Sequence, residues 1–347
     1  MAELKNAQLK NNQHYVFQSY LKAWCVDNEV WVYKRGTKIK RRGTKSLLYA
    51  YRFYELKDLN EDELKFIELC MIVAKMTDAE KQLMWKHIED VLLPFENMKV
   101  LDALKMKIKN INQNGIMIDE ETKDLVQQLD NLIEEMRVNT LEDFHGEYEH
   151  SGAKWIERIC NGDLSFYYPN DNKSGCFDYE ERNEFIQFLC VQYFRTLGMH
   201  DILFNNIKNM SDAYKKSPEC TFNCDNVNPE NVLFHLVWIL QSRCASKLMY
   251  DNAHMTVLNN KTELPFVTSD QPIINLKFKQ DNELMKLVLY YPLTPSVAIL
   301  LNDHGNSSFI EITDEQEIDN YNRAMAYNYH KYLIGNSESV LKMFAAV

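Results

Sequence analysis

The stretch PFVTSDQPIINL, residues 265–276, sets two apolar segments on either side of the polar residues 268–271. Apolar and β-branched residues predict a buried strand, whereas Ser, Asp and Pro are typical of tight turns. The polar tip between the two segments is therefore either a turn or a place where side chains are presented to another part of the molecule.

Apolar residues alternate with a period of two through the C-terminal third of the chain, after residue 254. The candidate strands there are MTVLN (255–259), PFVT (265–268), PIINLKFK (272–279), LMKLVLYY (284–291) and SVAILLN (296–302). QDNE (280–283) has the residue types of a hairpin turn. Near the N-terminus, EVWVYKR (29–35), a GTK turn and a returning KIKRR (38–42) form a second strand-like region.

Helical patterns occupy most of the remaining chain. Capping boxes, in which the first side chain and a Glu or Gln three residues later satisfy backbone N–H groups, begin at Asn60, Thr77, Asp178 and Thr313. A further helix carries Pro229 in its first turn, where proline is favoured. The predicted fold class is α+β, a predominantly helical body with a mostly antiparallel sheet contributed by the N-terminal hairpin region and the C-terminal third.

Length and composition bound the class of protein. The 347 residues are 46% hydrophobic and 26% charged, which predicts one compact globular domain over residues 1–347, with 60–160 as a helical insertion or subdomain. No run of about 18 apolar residues occurs, so we expect no membrane span. Eight cysteines without an apolar secretory leader predict reduced thiols and a cytoplasmic location. The net charge of −11 argues against a protein coated with nucleic acid.

Polar residues interrupt the apolar stripes of three predicted helices. The affected positions are His14 and Gln18 near the N-terminus, Gln192, Arg195 and Thr196 in the helix that begins at Asp178, and Asn322 in the helix that begins at Thr313. A buried amide without a partner costs about 1–3 kcal/mol and a guanidinium costs more, so these residues need partners. Asp270 in the polar tip is an expected partner for Arg195.

Two interpretations of these polar residues stay open. Buried Gln, Arg and Asp side chains often form structural networks without chemistry, and the TSDQP segment has the composition of a turn. Alternatively, the polar tip meets the polar stripe positions and forms a functional site, because perturbed polar groups cluster at such sites.

Five short motifs occur in an order that resembles the bacterial family DUF4238. They are QHYVFQSYLKAW (13–24), YRFYEL (51–56), VQYFRTLG (191–198), LPFVTSDQPI (264–273) and YYPLTPSVAILL (290–301). The resemblance implies that the site comprises His14, Gln18, Gln192, Arg195, Thr196, Ser269, Asp270, Pro272 and Asn322. Phe17 and Leu197 stand where the family commonly has proline, and Gln271 stands where it has asparagine. The resemblance supports a site and implies no activity.

A basic segment at residues 34–45 reverses the sign of the overall charge. Its cations are Lys34, Arg35, Lys38, Lys40, Arg41, Arg42 and Lys45. Lysines on an edge strand discourage aggregation between sheets, and the same cations can contact phosphates. We predict nucleic acid as a partner of this hairpin, with Lys40, Arg41 and Arg42 as binding residues.

Metal and cofactor motifs are weak in this sequence. Cys220 and Cys224 have a zinc-like spacing, with His235 further on, but a structural zinc site needs four ligands and no second pair is evident. HGEYEH (145–150) separates its histidines by five residues and predicts a solvated helix face. Gly-rich phosphate loops and dinucleotide fingerprints are absent from the sequence. We therefore expect no metal and no cofactor.

Two functions are compatible with these patterns. The first is a nuclease-like enzyme that acts on RNA or DNA, in a phage-defence or toxin setting, with His14 as general acid or base. In it Arg195 stabilises phosphate charge, Asp270 orients His14 or Arg195, and the substrate is bound by Gln18, Gln192, Thr196, Ser269, Gln271 and Asn322. The alternative is a non-catalytic binding or sensor protein whose polar network shapes a ligand pocket.

Overall fold

A computed structural model of the chain describes residues 8–86, 100, 103, 106–107, 120–168, 180–277, 287–302 and 308–345. The chain divides into two compact units. The first comprises residues 1–13, 51–144 and 206–239, and the second comprises residues 14–50, 145–205 and 240–347. The division into one domain with a helical insertion at 60–160 stays a prediction.

Eight helices have defined bounds within the described ranges. They are α1 (Gln18–Lys22), α2 (Glu61–Val73), α3 (Glu120–Cys160), α4 (Glu180–Phe194), α5 (Leu197–Tyr214), α6 (Pro229–Tyr250), α7 (Glu315–Asn328) and α8 (Glu338–Phe344). Side chains cap the first backbone N–H groups of α2, α7 and α8. Asn60 caps α2 in a complete capping box with Glu63. Thr77 and Glu80 exchange hydrogen bonds of 2.7 and 3.3 Å ahead of a helical segment at 78–86. Both of these predicted helix starts are confirmed.

The start predicted at Thr313 is wrong by one residue. Asp314 caps α7, and its carboxylate accepts the N–H of Gln316 at 2.9 Å. A charged carboxylate is a better acceptor than a threonine hydroxyl at a helix N-terminus, where the macrodipole is positive. A further helix, α8, follows α7 and has no counterpart among the predicted helices. The capping box at Asp178 lies outside the described residues.

The strands confirm the α+β class. They are β1 (Asn12–His14), β2 (Glu29–Lys34), β3 (Lys40–Gly43), β4 (Tyr49–Tyr51), β5 (His254–Asn260), β6 (Thr268–Ser269), β7 (Ile274–Asn275), β8 (Leu289–Pro292), β9 (Val297–Asn302), β10 (Phe309–Ile312) and β11 (Tyr332–Gly335). β10 and β11 lie in segments for which the sequence pattern predicts no strand. The predicted QDNE turn lies outside the described residues.

The described strands form three separate sheets. The first, in the order β3-β2-β11-β6, is antiparallel throughout and joins the N-terminal hairpin to the C-terminal third. The second, in the order β10-β5-β9-β8-β7, is antiparallel except for the parallel pair of β10 and β5. β1 and β4 form a two-stranded sheet. Within the described ranges, no helix is both long and apolar enough to cross a membrane.

Candidate functional site

All predicted site residues belong to the second unit, and the polar tip at 268–271 lies in its interior. Thr268 and Ser269 form β6, and the Thr268 hydroxyl lies 2.5 Å from the hydroxyl of Tyr20. Asp270 follows and is fully buried. Its backbone N–H donates to the carbonyl of Tyr332 at 3.0 Å, which extends the pairing of β6 with β11 by one residue.

The carboxylate of Asp270 accepts three backbone N–H groups. His330 donates to Oδ1 at 2.9 Å, and Lys331 and Tyr332 donate to Oδ2 at 2.7 and 3.1 Å. Burial raises the pKa of Asp270 to about 6, while the three N–H donors and the nearby His330 ring act in the lowering direction. Asp270 therefore holds the turn that leads into β11.

Ser269 and Gln271 complete the polar tip. The Ser269 hydroxyl donates to the Gln271 carbonyl at 2.9 Å and accepts the Gln271 N–H at 3.0 Å. The Thr196 hydroxyl donates to the side-chain oxygen of Gln271, whose amide nitrogen donates to the carbonyl of Tyr193 at 3.2 Å. The structure thus brings together Thr196 and Gln271, two residues predicted to share a site.

Asn322 on α7 binds the backbone just before the tip. Its side-chain oxygen accepts the N–H of Val267 at 2.8 Å, and its nitrogen donates to the carbonyl of Pro265 at 2.9 Å. An amide side chain offers the same donor and acceptor as a peptide group. Asn322 therefore makes the two hydrogen bonds to this segment that a neighbouring strand would make.

Arg195 pairs with Glu149, which is not among the predicted site residues. Its Nη1 donates to Glu149 Oε1 at 2.6 Å, its Nη2 donates to the backbone carbonyl of His14, and only 1% of its side chain is exposed. The expected pair of Arg195 with Asp270 is replaced by this contact and by the three N–H donors on Asp270. Glu149 lies in the HGEYEH segment, where the buried His145 contradicts the predicted solvated helix face. Its spacing of four from His145, which is buried, was the available signal, because residues four apart share a helix face.

His14 lies beside this ion pair and is half-buried. Burial lowers the pKa of its imidazole, Glu149 acts in the raising direction and Arg195 in the lowering direction, and a hydrogen bond to the backbone of Lys45 favours the charged form. The ring centroids of His14 and Tyr49 are 5.8 Å apart. The lowered pKa favours the neutral imidazole, which is the form that can accept a proton.

Two further predicted residues have different surroundings. Gln18 is the first residue of α1 and is half-buried. Gln192 on α4 is buried, and within the described part of the chain its side-chain nitrogen has no hydrogen-bond partner. An unpaired buried amide is rare in folded proteins.

The basic hairpin divides its cations between two faces of the sheet. Lys34 to Thr37 form a turn in which Gly36 has φ +76°, a conformation that favours glycine. Across the strands Lys40 lies opposite Val32, Arg42 opposite Val30, and Arg41 opposite Trp31. Because opposed residues share a face and neighbours alternate, Lys40 and Arg42 lie on one face and Arg41 lies on the other.

Arg41 is occupied on its own face. Its Nε lies 3.0 Å from Glu29, its Nη2 lies 3.4 Å from Asp27 and donates to the carbonyl of Val26 at 2.6 Å, and its guanidinium is 6.0 Å from the Trp31 ring. The structure therefore separates Arg41 from Lys40 and Arg42, and a joint role of the three as binding residues stays a prediction.

A cavity of about 520 Å³ lies against the other face of the hairpin. Its inner surface is made by four buried residues, Tyr15, Val32, Leu47 and Leu48. Its outer part is lined by the exposed cations Lys34, Lys38, Lys40 and Arg42, with Tyr49 and the hydroxyl residues Thr37 and Ser46 beside them. Tyr332 closes the lining, with its ring centroid 5.9 Å from the Lys34 ammonium.

The four cavity cations have no salt bridge to any carboxylate among the residues that the structure describes. At the inner surface, Leu48 has φ +56°, a left-handed conformation that is unusual for a branched side chain. Its carbonyl accepts the N–H of Tyr15 at 3.0 Å. Strained residues of this kind cluster at ligand sites.

The sequence profile of the family described as Protein of unknown function (DUF4238) matches residues 12–339. The chain belongs to the DUF4238 family. No curated protein matches the chain. No solved structure matches it.

Departures from the DUF4238 pattern preserve the local backbone. Phe17 caps α1 with φ −52°, which is close to the value that proline would hold. Leu197 is the first residue of α5, where proline is also favoured. Gln271 uses its longer side chain to reach Thr196 and the backbone of Tyr193. Positions 17 and 197 therefore have places in the fold that a proline can occupy, and Gln271 keeps the side-chain amide of an asparagine.

Metal-ligating residues are dispersed in the described ranges of this DUF4238 protein, where no group of three or more His, Cys, Asp and Glu side chains could hold a metal. The sulfur atoms of Cys220 and Cys224 are 3.7 Å apart, and Cys220 donates to the carbonyl of Phe222 at 3.1 Å. The described cysteines are free thiols.

Proposed function

We propose that this protein binds a phosphate-bearing ligand in the cavity beneath the basic hairpin. The observation that carries the proposal is the convergence of Lys34, Lys38, Lys40 and Arg42 on one concave surface of a protein with a net charge of −11. Unneutralised cations around a cavity attract anions and raise their local concentration. Arg42 offers paired donors that match phosphate oxygens, and the lysines supply point charges.

The contacts of the polar network support a binding protein over catalysis at Arg195 and Asp270. Both side chains are buried: Arg195 donates to Glu149 and to the carbonyl of His14, and Asp270 accepts backbone N–H groups. A group that must stabilise a developing charge needs access to the reacting atoms. A cytoplasmic setting belongs to this proposal and is supported by the free thiols.

The test compares two variants of the hairpin. Binding of inorganic triphosphate, ATP and a labelled single-stranded RNA is measured for the native chain, Arg42→Ala and Arg41→Ala. We expect at least one phosphate-bearing probe to bind, Arg42→Ala to lose about tenfold or more in affinity, and Arg41→Ala to stay within about twofold, since loss of a charge-assisted hydrogen bond is worth about 1.5–3 kcal/mol. Equal losses in both variants, or no binding of any probe, would refute the proposal.

A second candidate is a nuclease-like enzyme that acts on RNA or DNA in a phage-defence or toxin setting. The observation that favours it is the position of His14, whose ring lies 5.8 Å from Tyr49 of the cavity lining and whose lowered pKa favours its neutral form. The neutral imidazole would accept the proton of an attacking hydroxyl or water, and the cavity cations would hold the scissile phosphate.

The nuclease candidate is tested by incubation of the purified protein with labelled tRNA, mRNA and DNA, with and without divalent metal. We expect cleavage of one substrate by the native chain and none by a folded His14→Ala variant. A folded and fully active His14→Ala protein would remove His14 from the mechanism, and absence of cleavage under all conditions would leave the binding protein.

A further inference from the structure

We infer that the ligand of the cavity is a nucleoside polyphosphate, with its phosphates among Lys34, Lys38, Lys40 and Arg42 and its base against Tyr49. The inference rests on the proposed function and names the class of ligand. It depends on three properties of the cavity, which are its size, its number of cations and the kind of ring that borders them.

The size of the cavity selects a small molecule. A volume of about 520 Å³ lies within the range of about 300–1,000 Å³ that is typical of small-molecule sites. A nucleic-acid double helix presents its phosphates along an extended convex surface, so the proteins that bind it do so with open grooves or flat patches. The concave lining, with buried Tyr15, Leu47 and Leu48 at its inner surface, instead has room for one nucleotide-sized molecule.

The number of cations selects a chain of phosphates. Four cations line this one cavity, and within the described residues none of them is neutralised by a carboxylate. A phosphate monoester carries only about −1.5 to −2 charges at neutral pH. A di- or triphosphate carries more charge and more acceptor oxygens, so it can engage Arg42 and the lysines at the same time.

The aromatic residues select a nucleoside over a bare polyphosphate. Tyr49 lines the cavity and is 41% exposed, although tyrosine is large and apolar over most of its surface. The His14 ring lies next to it, with the ring centroids 5.8 Å apart and an angle of 57° between the ring planes. An exposed ring beside a row of cations is the arrangement that binds a base and its phosphates together, because every base has a π-face that stacks.

Isothermal titration calorimetry of the full chain with ATP, inorganic triphosphate and adenosine tests the inference. We expect ATP to bind about tenfold or more tightly than either of the other two, because only ATP uses both the cations and the ring. Tyr49→Ala should reduce the affinity for ATP about tenfold, to the level of triphosphate, and should change the affinity for triphosphate by less than twofold. Tyr49→Phe keeps the ring and should bind ATP within twofold of the native chain.

The matched control is Tyr51→Ala. Tyr51 is also an exposed tyrosine of β4, at 68%, and it is not among the residues that line the cavity, so ATP binding should not change. Thermal unfolding of each variant checks that it is folded, and Tyr49→Leu, which keeps apolar volume, replaces Tyr49→Ala if that variant unfolds.

The outcomes separate the inference from the proposal on which it rests. Triphosphate that binds as tightly as ATP, or equal losses in Tyr49→Ala and Tyr51→Ala, would overturn the nucleoside and leave phosphate binding intact. A short single-stranded RNA that binds more tightly than ATP and displaces it would replace the nucleotide with a strand of nucleic acid. Absence of binding by ATP, triphosphate and RNA would overturn both.

Discussion

Asp270 illustrates how one buried side chain can organise a distant backbone. It accepts N–H groups from residues 330–332, about sixty positions further along the chain, so the carboxylate replaces the hydrogen bonds that a longer β6 would make. Both oxygens are occupied. An asparagine would keep one acceptor and would aim its NH₂ group at an N–H donor, which leaves at least one buried N–H unpaired.

We therefore expect Asp270→Asn to lower the free energy of unfolding by about 1–3 kcal/mol, the usual penalty for an unsatisfied buried polar group. Urea denaturation measures the change. Asp225→Asn is the matched control, because the Asp225 carboxylate is 67% exposed and, within the described part of the chain, forms a salt bridge only with the exposed Lys215; such a pair is worth about 0–1 kcal/mol. Equal stability of Asp270→Asn and the native protein would contradict a bracing role.

The stability should also depend on pH through Asp270. Its pKa is raised to about 6 by burial, from an ordinary value of 3.8, so the folded state binds the proton more tightly than the unfolded state. The contribution is fully present below about pH 4 and is lost as pH rises through about 6, a change of roughly 3 kcal/mol. The difference in free energy of unfolding between the native protein and Asp270→Asn, measured from pH 4 to 7, isolates it. A difference that grows with pH would show that the three N–H donors outweigh burial.

Glu149 should control the proton affinity of His14. Its carboxylate acts to raise the pKa of His14 against the effects of burial and Arg195. Glu149→Gln keeps the size of the side chain and removes the charge, so the pKa of His14 should fall further, as followed by NMR titration of the imidazole. Glu147→Gln, an exposed change on the same helix, is the control and should leave the His14 titration where it is.

At the scale of single residues, the sequence identified groups that need partners and did not identify the partners. Thr196, Arg195 and Asn322 are buried polar residues, as the interrupted apolar stripes predict. Their partners include the backbone of residues 265–267 and of His14. Backbone groups are present at every position, so a sequence pattern cannot mark them.

At the scale of elements, the period of two decides which cations of the hairpin can act together. Lys40 and Arg42 lie on the face of the hairpin that lines the cavity, and Arg41 pairs with carboxylates on the opposite face. The alternation was evident in the sequence. Which of the two faces of the hairpin lines a cavity also depends on β11, and the sequence does not predict that β11 pairs with β2.

The salt dependence of binding provides the corresponding prediction. If Lys40 and Arg42 contact phosphates of a nucleic-acid strand, the double change to Ala should reduce the log–log slope of affinity against salt by about 1.4–1.8, at about 0.7–0.9 for each phosphate. Arg41→Ala should leave the slope unchanged. β3 is also an edge of its sheet, so the competing expectation is that the double variant aggregates more readily, which light scattering detects. No change in slope and no change in scattering would contradict both roles.

The apolar pattern of a helix does not decide which of its faces is buried. The sequence places Leu125, Leu129, Leu132 and Met136 on one apolar stripe of α3. Leu125 and Leu132 are exposed, at 51% and 41%, whereas Met136 packs against the buried cluster that contains Ile133, Tyr54 and Leu141. Both faces of this segment carry apolar residues at helical spacing. Which face is buried depends on where Tyr54 and Leu56 lie, and a helical period alone does not contain that information.

At the scale of the whole molecule, the sequence predicted the α+β class because runs of helix formers precede a region of alternating strands. It predicted one mostly antiparallel sheet, whereas the described strands form two larger sheets and a two-stranded one. Alternation indicates which side chains share a face and leaves the neighbour of each strand open. β11 is only four residues long and β10 includes exposed apolar residues, so neither had a strong strand pattern.

The place of β11 between β2 and β6 has a consequence during synthesis on the ribosome. The hairpin and most of the cavity lining come from residues 15–49, but Tyr332 and the strand that supports β2 emerge much later. At about 5–20 residues per second the interval is roughly 15–60 s. For that time the edge of β2 that later pairs with β11 is unpaired, and chaperones can bind it. A prematurely terminated chain that lacks residues 332–335 would expose the cations without a complete cavity.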